Sequence, residues 1–426
     1  MIHIKTYGCS NNLAESEMMH GILEKAGYII TENEHEAETI IFNACTVKGD
    51  TVILRDLRKT HKHKKIIVAG CIPQTTIPSI KEIVPHAGLI NTHNFDKILD
   101  VVKATENNES YEALDYDYKT KLNFPQTRKN FLIGIVPILN SCANACSFCS
   151  VKRVKGKLKT FPEEMIRNHV KQHITHGAQE IWLTSQDNGA YGLDTEGTRT
   201  LPRLLKTILD IGGTTRIRTG MMNPQHAIKM IPELIEVFHH ERIYKFLHVC
   251  VQSGSNDVLK RMNRGHTVED FTETVNAFRK VFPLITIATD IIVGYPGETE
   301  KEFQETIDMI RQVKPEVVNI SRFVSIPDTI AARQPYHING RIIKERSRVL
   351  TKVFEEIAHE QRKKWLHITG NVFVNEIGKQ NTMIGRNDAY QQVILPENTS
   401  LGAEVTVTII ETRMYDLIGT IISSKE

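Results

Sequence analysis

Hydrophobic and polar positions alternate in a repeating unit along most of the chain. Residues 1–103 carry three short apolar runs, IHIKTY, ETIIFN and KKIIVA, each reaching a cysteine and then a helix-like stretch, and a fourth run, AGLIN, closes the series. Strand-then-helix alternation at this spacing predicts βαβ units around a parallel sheet. Residues 104–130 break the pattern. There, ATENNESYEALDYDYK holds five acidic residues, one lysine and little apolar content, the make-up of a linker. From 131 the alternation resumes, with strands expected in FLIGIVPIL, EIWLTS, TRIRTG, KFLHVCV, LITIATDIIV and PEVVNI. Six such units predict a full or partial β/α barrel. After a charged helical segment at about 341–365 the texture changes to NVFVNEI, NTMIGR, YQQVIL, AEVTVTII and DLIGTII, short strands between Gly and Asn turns. That is the pattern of a small antiparallel β-barrel. The expected domains are 1–103, 131–364 and 365–426, with 104–130 between the first two.

Composition narrows the class. The chain has 426 residues, 40% hydrophobic and 24% charged, which suits two or three folded domains and excludes wholesale disorder or coiled coil. Lys+Arg number 53 against 50 Asp+Glu, so an anionic partner must be met by local patches. No apolar stretch approaches the ~20 residues of a membrane helix, and MIHIKTYGCS lacks the features of a secretory signal. The expectation is a soluble, cytoplasmic protein with no membrane partner. The seven cysteines, at 9, 45, 71, 142, 146, 149 and 250, are odd in number in a long chain, which favours metal or redox use over disulfides.

Cys142, Cys146 and Cys149 form C-x3-C-x2-C in a loop directly after the first strand of the second domain. Three thiolates this close can wrap one metal centre. A structural zinc site wants four protein ligands, and no fourth Cys or His lies nearby. Three thiolates on a [4Fe–4S] cluster instead leave one iron open. An open iron can bind S-adenosylmethionine, whose reductive cleavage yields a carbon radical. Zinc and free thiols are the competing readings. Cys9, Cys45 and Cys71 are far apart in sequence, but each sits just past the carboxyl end of a predicted strand. Those ends share one edge of a parallel sheet, so a second three-thiolate site follows. The competing reading is three small buried hydrophobes at strand ends. Cys250 is left over and reads as a structural strand residue.

The tight spacing on a β/α barrel resembles the radical S-adenosylmethionine superfamily. The resemblance implies a radical-generating cluster on Cys142, Cys146 and Cys149. The segments Y-G-C-S-N-N-L-A-E-S-E (7–17), N-A-C-T-V-K (43–48) and A-G-C-I-P-Q (69–74) resemble the N-terminal motifs of the methylthiotransferase family. That likeness implies an auxiliary [4Fe–4S] cluster on Cys9, Cys45 and Cys71, involved in supplying sulfur. The chain departs from the family pattern at Ala44, where Thr is common, and at Cys250 in HVCVQSGS, where Pro is usual. Ile326-Pro327-Asp328-Thr329 also replaces R-P-G-T. Small polar groups and a carboxylate in Thr184–Gly189, after the second barrel strand, suit an ammonium or ribose. A similar family segment points to Gln186 and Asp187 as S-adenosylmethionine contacts, and Gln252 and Ser253 resemble residues lining that pocket.

Two basic runs bear on the substrate. Residues 55–65 hold six Lys/Arg and read as a solvated helix face, whereas KRVKGKLK (152–159) borders the proposed reaction centre. Lys152, Arg153, Lys155 and Lys157 are therefore expected to grip a phosphate backbone. Enzymes that modify one base of RNA favour unpaired loops, and an anticodon loop meets that need. The C-terminal domain resembles the TRAM module, although residues 366–426 carry four Lys/Arg against seven Asp/Glu. Ser150–Gly156 is most similar to the archaeal and eukaryotic branch of the family. The resemblance implies methylthiolation of N6-threonylcarbamoyladenosine at position 37 of tRNA, with an electron donor and a sulfur source as further partners. Two alternatives stand beside it: the same chemistry on a ribosomal-protein side chain, and a non-catalytic metal-containing RNA-binding protein.

Overall fold

The computed structural model describes residues 1–46, 50–116, 121–379, 382–395 and 399–424. Val47 and Lys48 of the second N-terminal motif, and 117–119 of the acidic stretch, lie outside them. Strands β1 (Ile2–Thr6), β2 (Thr39–Ala44), β3 (Lys65–Gly70), β4 (Gly88–Asn91) and β5 (Glu112–Ala113) lie side by side in that order, all parallel. Alternate residues feed two separate cores, Ile41, Ile67 and Ile90 on one face and Phe42, Val68 and Leu89 on the other. Burial of both faces explains why these strands read as continuous apolar runs. The acidic stretch is not all solvated linker. Its Glu112–Ala113 pairs with β4 as a fifth strand, with Ala113 buried.

The second domain contains β6 (Ile133–Pro137), β7 (Leu139–Asn140), β8 (Lys159–Thr160), β9 (Glu180–Thr184), β10 (Arg216–Arg218), β11 (Phe246–His248), β12 (Thr286–Val293) and β13 (Val317–Arg322). β6, β9 and β10 form one parallel sheet and β11, β12 and β13 another. Isolated parallel bridges Ile217↔Ile243 and Met222↔Val249 join the two. The six expected barrel strands are all present, and among the described residues β6 and β13 do not pair, so the barrel is partial. The antiparallel pair β7–β8 brackets the tight cysteine loop. Capping boxes at Thr267/Asp270 and Thr299/Glu302 start the helices Val268–Val281 and Glu300–Val313 behind the sheet.

The helix Gly340–Lys363 leads into β14 (Thr369–Ile377), β15 (Met383–Asn387), β16 (Gln392–Leu395), β17 (Glu404–Thr412) and β18 (Leu417–Ser424), which close as a barrel in the order β14-β15-β16-β18-β17. This domain covers the amino-terminal end of the partial barrel. The Arg218 guanidinium lies 5.3 Å from the Trp182 ring, 4.9 Å from Phe246 and 5.0 Å from Tyr390. Arg216 pairs with Asp388 and Glu404, and Asn375 donates to Glu180 at 2.9 Å. With that end closed, access falls to the carboxyl ends of the strands, where the cysteines are. No helix among the described residues is long and apolar enough to cross a membrane.

Candidate active site: two facing cysteine loops

The tight loop leaves β7 and is held from outside. Ser147 Oγ donates to the Arg261 carbonyl at 3.0 Å and shares a 2.7 Å hydrogen bond with the Tyr295 hydroxyl, and Phe148 packs against Val258, Met262, Tyr295 and Ala331. Donors point at all three sulfurs: Asn144 N to Cys142 Sγ (3.4 Å), Arg264 Nη1 to Cys146 Sγ (3.2 Å) and Val151 N to Cys149 Sγ (3.4 Å). Such donors favour thiolates. Burial works the other way and pushes the Cys149 thiol up to about 11 and Cys142 higher still, the latter with help from Asp187. Thiols in this setting keep their protons until a metal displaces them.

Asp187 is 2% exposed. Its Oδ1 accepts from Gly189 N and Asn223 N, both at 3.1 Å, while Oδ2 faces Asn144 Nδ2 at 3.3 Å and Cys142 at 4.0 Å. Burial raises its carboxyl to about 6. Gln186 keeps a buried Oε1 without a hydrogen-bond partner, an acceptor still available to a ligand. Gln252 adopts φ +79°, a strained backbone for a side-chain-bearing residue, between bonds to Asp290 and Ile292 on β12. Ser253 was expected as a cofactor contact. It is fully buried, accepts from Ser255 N at 3.2 Å and lies 3.4 Å from the Thr306 hydroxyl, so it fixes the turn from behind. Two residues here escaped the sequence reading. His226, 2% exposed, sits 3.5 Å from Asp187 Oδ2 and accepts from Arg199 at 2.9 Å. Arg264 spans from Cys146 to the Cys250 carbonyl at 2.6 Å. Their only signal was position, just past β10 and just past the helix Asn256–Arg261.

The wide triplet collects at the carboxyl edge of the first sheet. Cys9 caps the helix Ser10–Lys25, and Cys45 and Cys71 directly follow β2 and β3. Gly8 lets the loops meet: a Cβ there, at φ +121°, would stand 2.7 Å from Cys45 Cβ and 2.9 Å from its sulfur. Neither triplet is compact enough for a single ion. Among the described residues, the one set of three donor atoms within 4.8 Å of one another is His248, Cys250 and Asp290. Three sulfurs bound to one zinc at ~2.3 Å would have to lie closer together than either triplet does.

Behind the wide triplet lies a buried charge group. Glu15 Oε1 receives Lys121 Nζ at 2.6 Å and Lys155 Nζ at 3.1 Å, and all three residues are at most 5% exposed. Two lysines to one glutamate leave an excess positive charge, which acts on Cys71 and Cys9. Burial opposes the charge on Lys155, but Cys71 and Glu15 overcome it and hold its pKa high. Burial also opposes ionisation of Glu15, and Lys121 and Lys155 hold it down at about 2. This surplus fits an anionic thiolate-bound cluster. It also removes Lys155 from the expected RNA grip: Lys155 is 2% exposed because its helix, Val151–Lys155, turns that side chain inward between the domains. Lys152, Arg153 and Lys157 on the same run remain exposed.

The profile of the Radical SAM superfamily matches residues 136–310, that of the uncharacterized protein family UPF0004 residues 1–91, and that of the TRAM domain residues 369–422. Among solved structures, the radical S-adenosylmethionine methyltransferase TsrM of Kitasatospora setae superimposes with a TM-score of 0.51 at 12% identity, covering 75% of this chain and 74% of that one. Fold and cysteine loop thus define a radical S-adenosylmethionine enzyme. The probable threonylcarbamoyladenosine tRNA methylthiotransferase of Pyrococcus abyssi is 40% identical over 94% of both chains. The human threonylcarbamoyladenosine tRNA methylthiotransferase is 35% identical over 98% of this chain and 73% of its own. This chain belongs to the threonylcarbamoyladenosine tRNA methylthiotransferase family.

Proposed function

We propose that the protein replaces the hydrogen at C2 of N6-threonylcarbamoyladenosine 37 in tRNA with a methylthio group. In this reading Cys142, Cys146 and Cys149 hold one [4Fe–4S] cluster, and Cys9, Cys45 and Cys71 hold a second. The observation that carries it is the pair of three-thiol loops, one per domain, joined where Thr46 and Ser150 share a hydrogen bond. When bound, the clusters and S-adenosylmethionine supply a carbon radical and a site for sulfur.

The chain's own residues prepare the chamber. With Oδ1 of Asp187 taken by backbone N–H groups, Oδ2, which already accepts from Asn144 Nδ2 at 3.3 Å, has a second lone pair to accept from the ammonium of S-adenosylmethionine, beside Gln186 Oε1. Arg264 holds positive charge against the Cys146 sulfur. Phe148 and Tyr295 seal the back of the tight loop against water. Lys152, Arg153 and Lys157 line the rim as phosphate contacts. A one-electron reductant and a sulfur donor come from outside the chain.

Iron and sulfide analysis of anaerobically reconstituted protein tests the cofactor assignment. The expected content is about eight irons in wild type and about four in a Cys142/Cys146/Cys149→Ala variant. Four in wild type, all lost in the variant, would remove the second cluster and with it the sulfur-insertion reading.

A further inference from the structure

His248, Cys250 and Asp290 meet inside the partial barrel. The chain past β11 stays extended, with Val249 N donating to Ala288 O at 2.9 Å and Cys250 N to Met222 O at 3.0 Å. Leu247, Val249 and Val251 pack outward into the main core. Strand alternation then turns His248 and Cys250 into the chamber, where Asp290 of β12 also points. His248 Nε2 lies 3.0 Å from Asp290 Oδ2, and one donor atom from each of the three residues falls within 4.8 Å of the others.

We propose that His248, Cys250 and Asp290 form a mononuclear binding site for a zinc-like divalent cation, distinct from both cysteine triplets. Imidazole nitrogen, thiolate sulfur and carboxylate oxygen are the donors that such borderline ions accept. Asn319 Nδ2 donates to Asp290 Oδ1 at 2.8 Å and leaves Oδ2 to face His248 Nε2, the supporting contact that metal-bound carboxylates commonly have. A thiolate, a carboxylate and a neutral imidazole balance a divalent charge, which suits a site where Cys250 is 7% exposed. Three protein ligands leave a fourth position open. The His248 and Asp290 side chains keep 14% and 23% of their surface exposed, so that position faces the chamber and takes water or another oxygen donor such as a carboxylate. The tight triplet is close by, because one guanidinium, Arg264, bridges the Cys250 carbonyl and the Cys146 sulfur. Cys250 stands where the methylthiotransferase pattern it resembles has Pro, a residue that could supply no third ligand. The competing arrangement is a plain hydrogen-bond network, with His248, Cys250 and Asn319 all donating to Asp290.

The test uses cluster-loaded protein prepared without oxygen. It is titrated with Zn(II) and desalted, and zinc is counted beside iron and sulfide while X-ray absorption at the zinc edge reads the ligands. The expected result is one zinc per chain with a single sulfur at ~2.3 Å and nitrogen or oxygen neighbours at ~2.0–2.2 Å. Cys250→Ala and Asp290→Asn should each weaken zinc retention at least tenfold with iron unchanged, the iron serving as the check on folding. Wild-type protein that keeps no zinc, or whose zinc has no sulfur neighbour or several, overturns the proposal, and that readout stands even where a variant fails to fold. Zinc retained equally by a folded Cys250→Ala protein overturns it too.

Discussion

Thr46 and Ser150 each directly follow a cysteine of a different triplet, and their hydroxyls share a 2.5 Å hydrogen bond across the domain interface. Both are at most 4% exposed, so the bond is dry. A second bridge, between Ser10 and Thr184 at 2.6 Å, ties the residue after Cys9 to the end of β9. The two cysteine loops are therefore positioned by one another, not merely by their own domains.

Removing one partner of the first bridge should strand the other. Thr46→Val and Ser150→Ala are each expected to lower stability by ~1–3 kcal/mol, the cost of a buried unsatisfied hydroxyl. The double variant should cost less than the sum of the two. Both singles should retain iron yet turn over S-adenosylmethionine with less sulfur transfer per cleavage. A double-mutant cycle with additive losses would mean that the two loops are not coupled through this bond.

Lys155 should act on the second cluster, not on RNA. Lys155→Met removes the surplus charge behind the wide triplet and is expected to make that cluster harder to reduce. A charge beside a buried centre is worth a few kcal/mol at an effective dielectric of ~20, so the shift in potential should be at least tens of millivolts. Redox titration followed by electron paramagnetic resonance reads it. An unchanged potential would show that the surplus charge is neutralised elsewhere.

Lys152, Arg153 and Lys157 should behave in the opposite way. Alanine at all three is expected to weaken tRNA binding and to reduce the salt dependence of log Kd by up to about three units of slope, since each phosphate contact releases about one counterion. Cluster content should not change. Binding that keeps its affinity and its salt slope would move the RNA path elsewhere.

Acid sensitivity follows from the buried pair His169 and His173, whose ring nitrogens lie 3.2 Å apart behind β6. Burial lowers His169 to about 4 and, together with His169 itself, His173 to about 3. Their unfolded counterparts titrate near 6.5. Because the folded values are the lower ones, stability is full above about pH 6.5 and falls as the pH drops towards the folded values. At pH 5 the loss is about 1–2 kcal/mol per histidine. The Tm of wild type should fall more between pH 7.5 and pH 5 than that of a His169→Gln/His173→Gln variant, and equal slopes would refute the assignment.

Much of the architecture was legible because it repeats. Three runs ending near Cys9, Cys45 and Cys71 gave away a parallel sheet, and strand ends then brought those loops to one edge. The tight triplet announces itself by adjacency. Contacts between distant residues left no such trace. Lys155 sits in a basic run that looks solvated, and only a partner 140 positions away, Glu15, makes it a buried charge. β5 has two residues, too few for a periodicity. Ser253 lies in a motif that looks like a pocket lining, yet its hydroxyl points away towards Thr306. Cys250 read as a strand residue, and its neighbours His248 and Asp290 emerged only once β11 and β12 were paired.

The central claim is chemical, and one measurement addresses it directly. tRNA bearing N6-threonylcarbamoyladenosine is incubated with the two-cluster protein, S-adenosylmethionine, a reductant and sulfide, and its nucleosides are read by mass spectrometry. The account predicts a nucleoside in which methylthio has replaced hydrogen at C2, formed together with 5′-deoxyadenosine and lost in both Cys142→Ala and Cys71→Ala. Cleavage of S-adenosylmethionine with the tRNA nucleoside unchanged would contradict it.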